Sequence, residues 1–338
     1  MIRNSEALGS APERDLYELV EGFFRSTFAT DNALITEAVR RMLRAGGKRL
    51  RPRFTLLAAE SNGADPRTHL PLAAYMELIH VGTLIHDDVV DRADVRRGVN
   101  ATAVDYGNRI SVLAGDYLFA WIFKNVTASY APPIPNILSA TLADITDGEV
   151  LQLRSLGNLA LTLEQYVEIV AKKTAALFAA SCECGALAAG AAPIRVAALR
   201  DFGHFYGIAF QMFDDLLDVT ASAAELGKPA GNDLRERKTT IPVLFALARG
   251  TSGWRTALEQ YYAGEPDEAA IPELLAGIAA SGALGATRDA IADYAERAKR
   301  ALAPLGTNPA RAELCALADA LVRDAAARTR SYVTDGEV

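Results

Sequence analysis

Two stretches decide the fold: Leu78–Asp91, LIHVGTLIHDDVVD, and Ile208–Asp218, IAFQMFDDLLD. Each is an apolar run that ends in aspartates. Apolar residues at helical spacing predict helices here. On a helix, residues four apart share a face and lie about 6 Å apart along the axis. Asp87 and Asp91 therefore point one way, as do Asp214 and Asp218, with Asp88 and Asp215 beside them. Three like charges within five residues, flanked by hydrophobes, are destabilising unless a cation neutralises them. All-oxygen carboxylate sites suit Mg²⁺, which keeps several waters and bridges to phosphates. One such triplet alone reads equally well as a solvated acidic helix face. Two triplets of identical spacing, each preceded by an apolar turn, point to facing sites that clamp one polyanion through Mg²⁺.

Outward from these stretches the pattern stays helical. The spacing predicts helices over 15–29, 32–43, 52–60, 70–91, 103–126, 136–153, 163–189 and 194–220. Helices resume at Thr239 and run to Ser331, with breaks at Gly250, Gly264–Pro266 and Gly306–Pro309. Alternating strands and the turn signals of β-hairpins are absent. Residues 92–101 read as a polar loop. Ala221–Lys238, rich in glycine, proline and charge, reads as a long loop of the kind that usually carries function. Residues 1–12 look like a loose tail. The expectation is one all-α domain over 13–338, built from roughly ten or more mostly antiparallel helices.

Composition excludes several classes. Of 338 residues, 50% are hydrophobic and 23% charged, so the chain is not disordered. The 35 basic and 42 acidic residues give a net charge of −7, which argues against a general nucleic-acid binder. Three cysteines (Cys182, Cys184 and Cys315) are too few for a disulfide framework and read as small buried thiols in a reducing cytosol. The N-terminus has no apolar core of a secretory signal. The weakly charged stretch Thr174–Ile194 is interrupted by Glu183 and Pro193, so it reads as a close-packed interior helix rather than a membrane span. A cytoplasmic protein without an integral membrane segment is expected.

Positive charge is concentrated in one place. Residues 40–53 hold Arg40, Arg41, Arg44, Lys48, Arg49, Arg51 and Arg53, and Gly46-Gly47 loosens the turn before a helix start. Backbone N–H groups and basic side chains can converge there on phosphate. A nucleic-acid or membrane-surface patch and a plain solvated face are the competing readings. In an acidic chain, a local small-molecule anion site is favoured. Arg96 and Arg97 follow the first aspartate cluster.

Together these residues resemble the trans (E-type) isoprenyl diphosphate synthases, of the medium- to long-chain kind. The resemblance runs from about Gly46 to Pro242. Its landmarks are Gly-Gly-Lys-Arg-Leu-Arg-Pro at 46–52, Glu-Leu-Ile-His at 77–80, Asp-Asp-Val-Val-Asp at 87–91 and Arg96-Arg97. They continue with Gly-Asp at 115–116, Gly-Glu-Val-Leu-Gln at 148–152, Lys173-Thr174, Gln211–Asp218, Gly-Lys-Pro-Ala-Gly-Asn-Asp at 227–233, and Lys238.

The resemblance implies a helical bundle around a deep central cavity, and a prenyltransferase that condenses isopentenyl diphosphate with an allylic diphosphate. Asp87, Asp91, Asp214 and Asp218 would bind about three Mg²⁺ ions, with Asp88 and Asp215 standing behind them. Arg96, Lys173, Lys228 and Lys238 would hold the allylic diphosphate. Lys48, Arg51, His80 and Arg97 would hold isopentenyl diphosphate. Thr174 and Gln211 would line the region where positive charge develops. Family members are usually homodimers, and some catalytic chains need a small partner subunit. One departure stands out: the family has glycine where Arg237 precedes Lys238.

The resemblance also bears on product length. Large aromatics one turn before the first aspartate cluster block a growing chain. Here Gly82 and Thr83 stand there, both small, and Phe119 or Trp121 on the next helix would supply a floor. An all-trans product in the C25–C40 range is expected, with a C20 geranylgeranyl product as the alternative. An ordinary core aromatic is the competing reading for Trp121. A class I terpene cyclase, a non-catalytic partner subunit and a di-iron bundle (from Glu77-x-x-His80) are the readings from other classes. The intact second cluster, the complete pair of clusters and the lack of a second Glu-x-x-His copy weigh against them in turn.

Overall fold

The computed structural model describes residues 17–24, 28, 30–96, 98–221 and 230–333. The expected tail over 1–12 lies outside the described residues. The chain is all-α, with one minimal two-stranded ladder among the described residues. After a helical segment over 17–24 (α1), the order begins α2 (Ala33–Arg44), α3 (Leu50–Glu60), α4 (Leu70–Val90), β1 (Val95–Arg96) and β2 (Val99–Asn100). It continues with α5 (Thr102–Ser129), α6 (Ile134–Ser155), α7 (Leu163–Val170), a π-helical turn over Ala171–Ala175, α8 (Ala176–Ala188) and α9 (Pro193–Thr220). The remaining helices are α10 (Asn232–Arg235), α11 (Ile241–Arg249), α12 (Ser252–Ala263), α13 (Ile271–Ala280), α14 (Ala283–Ala301) and α15 (Pro309–Val333). The chain divides into two compact units, one of residues 1–142, 180–200 and 304–311, the other of 143–179, 201–303 and 312–338.

In the first unit α4 is the central element. Leu72, Met76, Leu78, Ile79 and Ile85 are fully buried, as are Phe54, Leu56 and Leu57 of α3. Each such side chain contributes about 1.5–3 kcal/mol of burial. Asn32 caps α2, its side-chain oxygen accepting from the Leu34 and Ile35 N–H groups. Gly185 lets its helix approach α3 closely, since a Cβ there would lie 2.2 Å from the Thr55 carbonyl oxygen. Cys182 and Cys184 sit fully buried beside it, and Cys315 is partly exposed.

In the second unit Ile208, Met212 and Leu216 of α9 pack with Ile241, Leu258, Ile278 and Ile291 in one core. α7 begins with a reciprocal cap, in which the Thr162 hydroxyl accepts from the Gln165 N–H and the Gln165 side chain accepts from the Thr162 N–H.

The structure departs from the sequence expectations in three places. The polar loop at 92–101 contains an antiparallel pairing, Val95 with Asn100 and Arg96 with Val99, whose turn uses Gly98 at φ 76°. Two paired residues per strand are too few to leave an alternating pattern. The single helix expected over 163–189 carries the π turn. The loop expected over 221–238 contains the short α10, initiated by Gly231 at φ 76°.

Candidate active site

In the first unit, α4 carries Asp87 and Asp88 in its last turn and Asp91 as its C-cap. Asp88 is fully buried, while Asp87 and Asp91 are half-buried. The small ladder turns the chain back so that Arg96 meets Asp88, with Nε and Nη2 each 2.6 Å from Oδ1. The buried carboxylate is thus charge-compensated, the condition under which a buried charge is tolerable. Arg97, the other arginine of this pair, lies outside the described residues.

One turn earlier, Gly82 faces α5. A Cβ at 82 would lie 2.6 Å from Phe119 Cε1, so the Phe119 ring fills the space that a side chain would need. Gly115 does the same for His86, where a Cβ would lie 2.2 Å from Nε2. His86 Nε2 is then 3.0 Å from the Val112 carbonyl, and its ring meets Phe119 edge-on at 5.6 Å. Trp121 packs edge-on against Phe28 and Tyr75, at 5.2 and 6.0 Å between centroids. The Thr83 hydroxyl donates to the His80 carbonyl of its own helix.

The basic turn is tight. Gly46 (φ 80°), Gly47 (φ 151°) and Arg49 (φ 47°) take left-handed conformations before α3. Lys48 is exposed and Arg51 is half-buried. Arg49 instead turns inward: it donates to Glu77 at 2.9 Å, Glu21 at 2.6 Å and the Leu43 carbonyl at 2.7 Å. One of the seven basic side chains therefore holds the turn together, and Glu77 is its counter-ion.

The second unit contains a cavity of about 110 Å³, lined by Gln152, Lys173, Thr174, Gln211, Asp215, Asp233 and Lys238 among others. Small residues build it. Gly203 and Gly207 let α9 approach the backbone of the facing segment, where Cβ atoms would lie 2.4 Å from the Phe178 carbonyl oxygen and 2.5 Å from Ala175 Cα. One turn on, Gln211 reaches Thr174, whose hydroxyl donates to Oε1 at 2.8 Å. Gly148 lets α6 approach the π turn, since a Cβ there would lie 2.5 Å from the Lys173 backbone nitrogen. Lys173 consequently meets both Gln152 and Glu149. π turns widen a helix locally and often mark functional sites.

Asp215 is buried, and among the described residues its hydrogen-bond partners are uncharged: it accepts from the Tyr166 hydroxyl at 2.6 Å and from Gln211 Nε2 at 2.9 Å. Burial pushes its carboxyl up to about 6; the two hydrogen bonds oppose the shift, and Asp214 and Asp218 add to it. Burial and the neighbouring Asp215 raise the Tyr166 phenol well above its ordinary value. Asp214 is exposed, and Asp218 is buried with Oδ2 accepting from the Asp233 N–H at 3.0 Å. Lys238 pairs with Glu236. Lys228 lies outside the described residues.

The donor chemistry fits Mg²⁺. Both clusters offer carboxylate oxygens, and the outer pair of each lies at i and i+4. No three His, Cys, Asp or Glu side chains converge on one point among the described residues. Pairs of carboxylates suit an ion that completes its shell with water and substrate phosphate.

The sequence reading missed Tyr166, Asp233, Thr239 and Thr240, all of which line the cavity. Tyr166 stands 49 positions from Asp215, and no local pattern marks it. Thr239 and Thr240 had a signal, as polar residues opening an apolar helix directly after Lys238.

A family model described as polyprenyl synthetase matches residues 32–278. The octaprenyl diphosphate synthase of Escherichia coli is 38% identical over 298 residues, covering 87% of this chain and 91% of its own. The crystal structure of a decaprenyl diphosphate synthase from Rhodobacter capsulatus superposes with a TM-score of 0.86 at 40% identity, covering 92% of this chain and 97% of that one. A polyprenyl synthase from Caulobacter crescentus, complexed with calcium and isoprenyl diphosphate, gives a TM-score of 0.85 at 41% identity, covering 91% and 93%.

Proposed function

The chain belongs to the polyprenyl synthetase family, and from that premise we propose that it is a Mg²⁺-dependent trans-prenyltransferase making an all-trans polyprenyl diphosphate in the C25–C40 range. The observation that carries this reading is the cavity of the second unit, where Lys173, Lys238, Thr174 and Gln211 line the same space as Asp215 of the second acidic cluster. We take residues 13–338 as one functional domain, as the family resemblance implies.

Asp87, Asp91, Asp214 and Asp218 hold Mg²⁺, about three ions per site. Bound Mg²⁺ supplies positive charge to the departing diphosphate. Lys173, Lys228 and Lys238 grip the allylic diphosphate, Lys173 exchanging the oxygens of Glu149 and Gln152 for those of the substrate. Arg96, fixed by Asp88, presents its remaining N–H groups to the same anion. Lys48, Arg51, His80 and Arg97 grip isopentenyl diphosphate. When the allylic C–O bond breaks, the oxygens of Thr174 and Gln211 face the carbocation, and apolar walls exclude water. The isopentenyl double bond attacks the cation, and the released diphosphate takes the final proton.

Gly82 and Thr83 put no aromatic of their own in the turn before the first cluster, and Phe119, whose ring occupies the space beside Gly82, forms the floor that stops a growing chain. The octaprenyl relative is named for a product at the top of this range and the decaprenyl relative for one beyond it. Val112, Leu113 and Tyr117 are exposed apolar side chains of α5, and a second copy of the chain covers them in a homodimer. No helix among the described residues is long and apolar enough to cross a membrane, and we place the enzyme in the cytoplasm.

The test is a product assay with Mg²⁺, labelled isopentenyl diphosphate and C5, C10, C15 or C20 allylic primers. A ladder ending at one length within C25–C40 is expected. A ladder ending at C20 would replace the long-chain reading with a geranylgeranyl one. Failure to incorporate label with any primer would overturn the stand-alone enzyme in favour of one that needs a partner subunit.

A further inference from the structure

We propose that Arg237 is a positioning residue, a clasp that fixes Lys238 at the cavity wall and thereby sets affinity for the allylic diphosphate. This rests on the reading of Lys238 given above. Arg237 sits at φ 55°, in the left-handed region where a Cβ is unfavourable and glycine costs nothing. A bulky side chain at such a position must return something that glycine cannot.

Its contacts show what that is. The guanidinium Nη2 donates at 2.6 Å to the Gly264 carbonyl, at the C-cap of α12. Carbonyls at a helix C-terminus lack helical partners and carry the negative end of its dipole, so a guanidinium suits them. The Arg237 carbonyl accepts from the Gly157 N–H at 2.8 Å, and its own N–H donates to the Leu234 carbonyl at 2.9 Å. Residue 237 is thus fastened to two other loops, by side chain and by backbone.

Lys238 inherits the order. Its N–H donates to the Asp233 carbonyl at 2.8 Å, and its carbonyl accepts from the Tyr262 hydroxyl at 2.8 Å. Arg235 adds a second staple, bidentate to Glu268 and 2.6 Å from the Ala230 carbonyl. Lys238 and Asp233 both line the cavity. The segment that carries Lys238 is therefore pre-organised, so less ordering is left to be done when the diphosphate binds. With glycine at 237 the backbone would relax, the tether to Gly264 would vanish, and that cost would return as weaker allylic binding.

The experiment compares wild type with Arg237→Gly, Arg237→Lys and Lys238→Ala, measuring kcat, both KM values and melting temperature with a C15 allylic diphosphate. Arg237→Gly removes the left-handed strain, so its folding is not at risk. We expect it to raise the allylic KM about fivefold or more, with the isopentenyl KM and kcat within about twofold and the melting temperature held or raised. Arg237→Lys, which still reaches the carbonyl, should keep the allylic KM within about twofold. Wild-type kinetics in Arg237→Gly, beside a raised allylic KM in Lys238→Ala, would overturn the clasp and leave the Lys238 reading standing. A parallel rise in both KM values that tracks a lower melting temperature would also overturn it, since a purely structural role predicts that pattern. Wild-type kinetics in Lys238→Ala would overturn the Lys238 reading and the clasp with it.

Discussion

The two aspartate clusters share a spacing and differ in how the middle carboxylate is kept. Asp88 and Asp215 are both buried at the second position of a D-D-x-x-D run. Asp88 is met by the guanidinium of Arg96, brought back by a two-residue ladder. Asp215 is met by a phenol and a primary amide, both uncharged. The third aspartates differ as well. Asp91 ends its helix, half-buried, whereas Asp218 accepts the Asp233 N–H and anchors the segment that leads to Lys238. Identical sequence motifs therefore stand in opposite electrostatic settings. The first is rigidified by a charge pair, and the second by a hydrogen-bond network that runs from Thr174 through Gln211 to Asp215 and Tyr166.

The largest effect should come from the outer aspartates, where the clusters are expected to behave alike. Asp87→Asn and Asp214→Asn should each lower kcat on the order of 10²–10³-fold, with little change in melting temperature. If only one of them lowers turnover, the symmetric use of the two clusters fails. The middle aspartates should separate the clusters. Asp88→Asn strands part of the Arg96 charge and should cost about 2 kcal/mol in denaturant unfolding, below the fully buried case because Arg96 is partly exposed. Asp215→Asn keeps an oxygen for Tyr166 and should cost less than about 1 kcal/mol. Equal costs would erase the contrast. Tyr166→Phe removes one hydrogen bond from the second cluster and should cost about 1 kcal/mol. It should leave the affinity for isopentenyl diphosphate unchanged, as read from its KM.

The turn before each cluster extends the comparison to product length. Four residues before the first aspartate stands Thr83 in one case and Phe210 in the other. Phe210 is occupied in packing against Phe178, 5.3 Å away between centroids. Phe119→Ala should lengthen the dominant product by roughly one or two C5 units, because it opens the space beside Gly82. Phe210→Ala should leave the length unchanged. If Phe119→Ala and Trp121→Ala both leave it unchanged, neither residue is the floor.

Much of this was legible in the sequence because helices write their period into it. The apolar runs before Asp87 and Asp214 marked α4 and α9, and a proline stands at the start of each. The aspartates stood out as candidates because like charges crowd there beside hydrophobes. Contacts between distant segments left less trace. Nothing near Tyr166 announces Asp215. The inward turn of Arg49 is invisible among seven basic residues, since only the fold shows that Glu77 and Glu21 await it. Gly148 passes close to Lys173 at the π turn, and a glycine in a helical pattern has many other uses. Arg237 was visible as a departure from the family, and its φ of 55° explains why the departure matters.

The π turn at Ala171–Ala175 also bears on how this chain can change over evolutionary time. Such a turn is equivalent to one residue inserted into an α-helix. Losing a single residue here would fuse α7 and α8 into one uninterrupted helix, and secondary structure alone would register no damage. Everything downstream would nevertheless rotate by about 100° relative to what precedes it. Lys173 and Thr174 would no longer both face Gln152 and Gln211. The segment is therefore tolerant of length change as a helix and intolerant of it as a site, so single-residue deletions there should be lost by selection for activity well before they are lost by selection for folding.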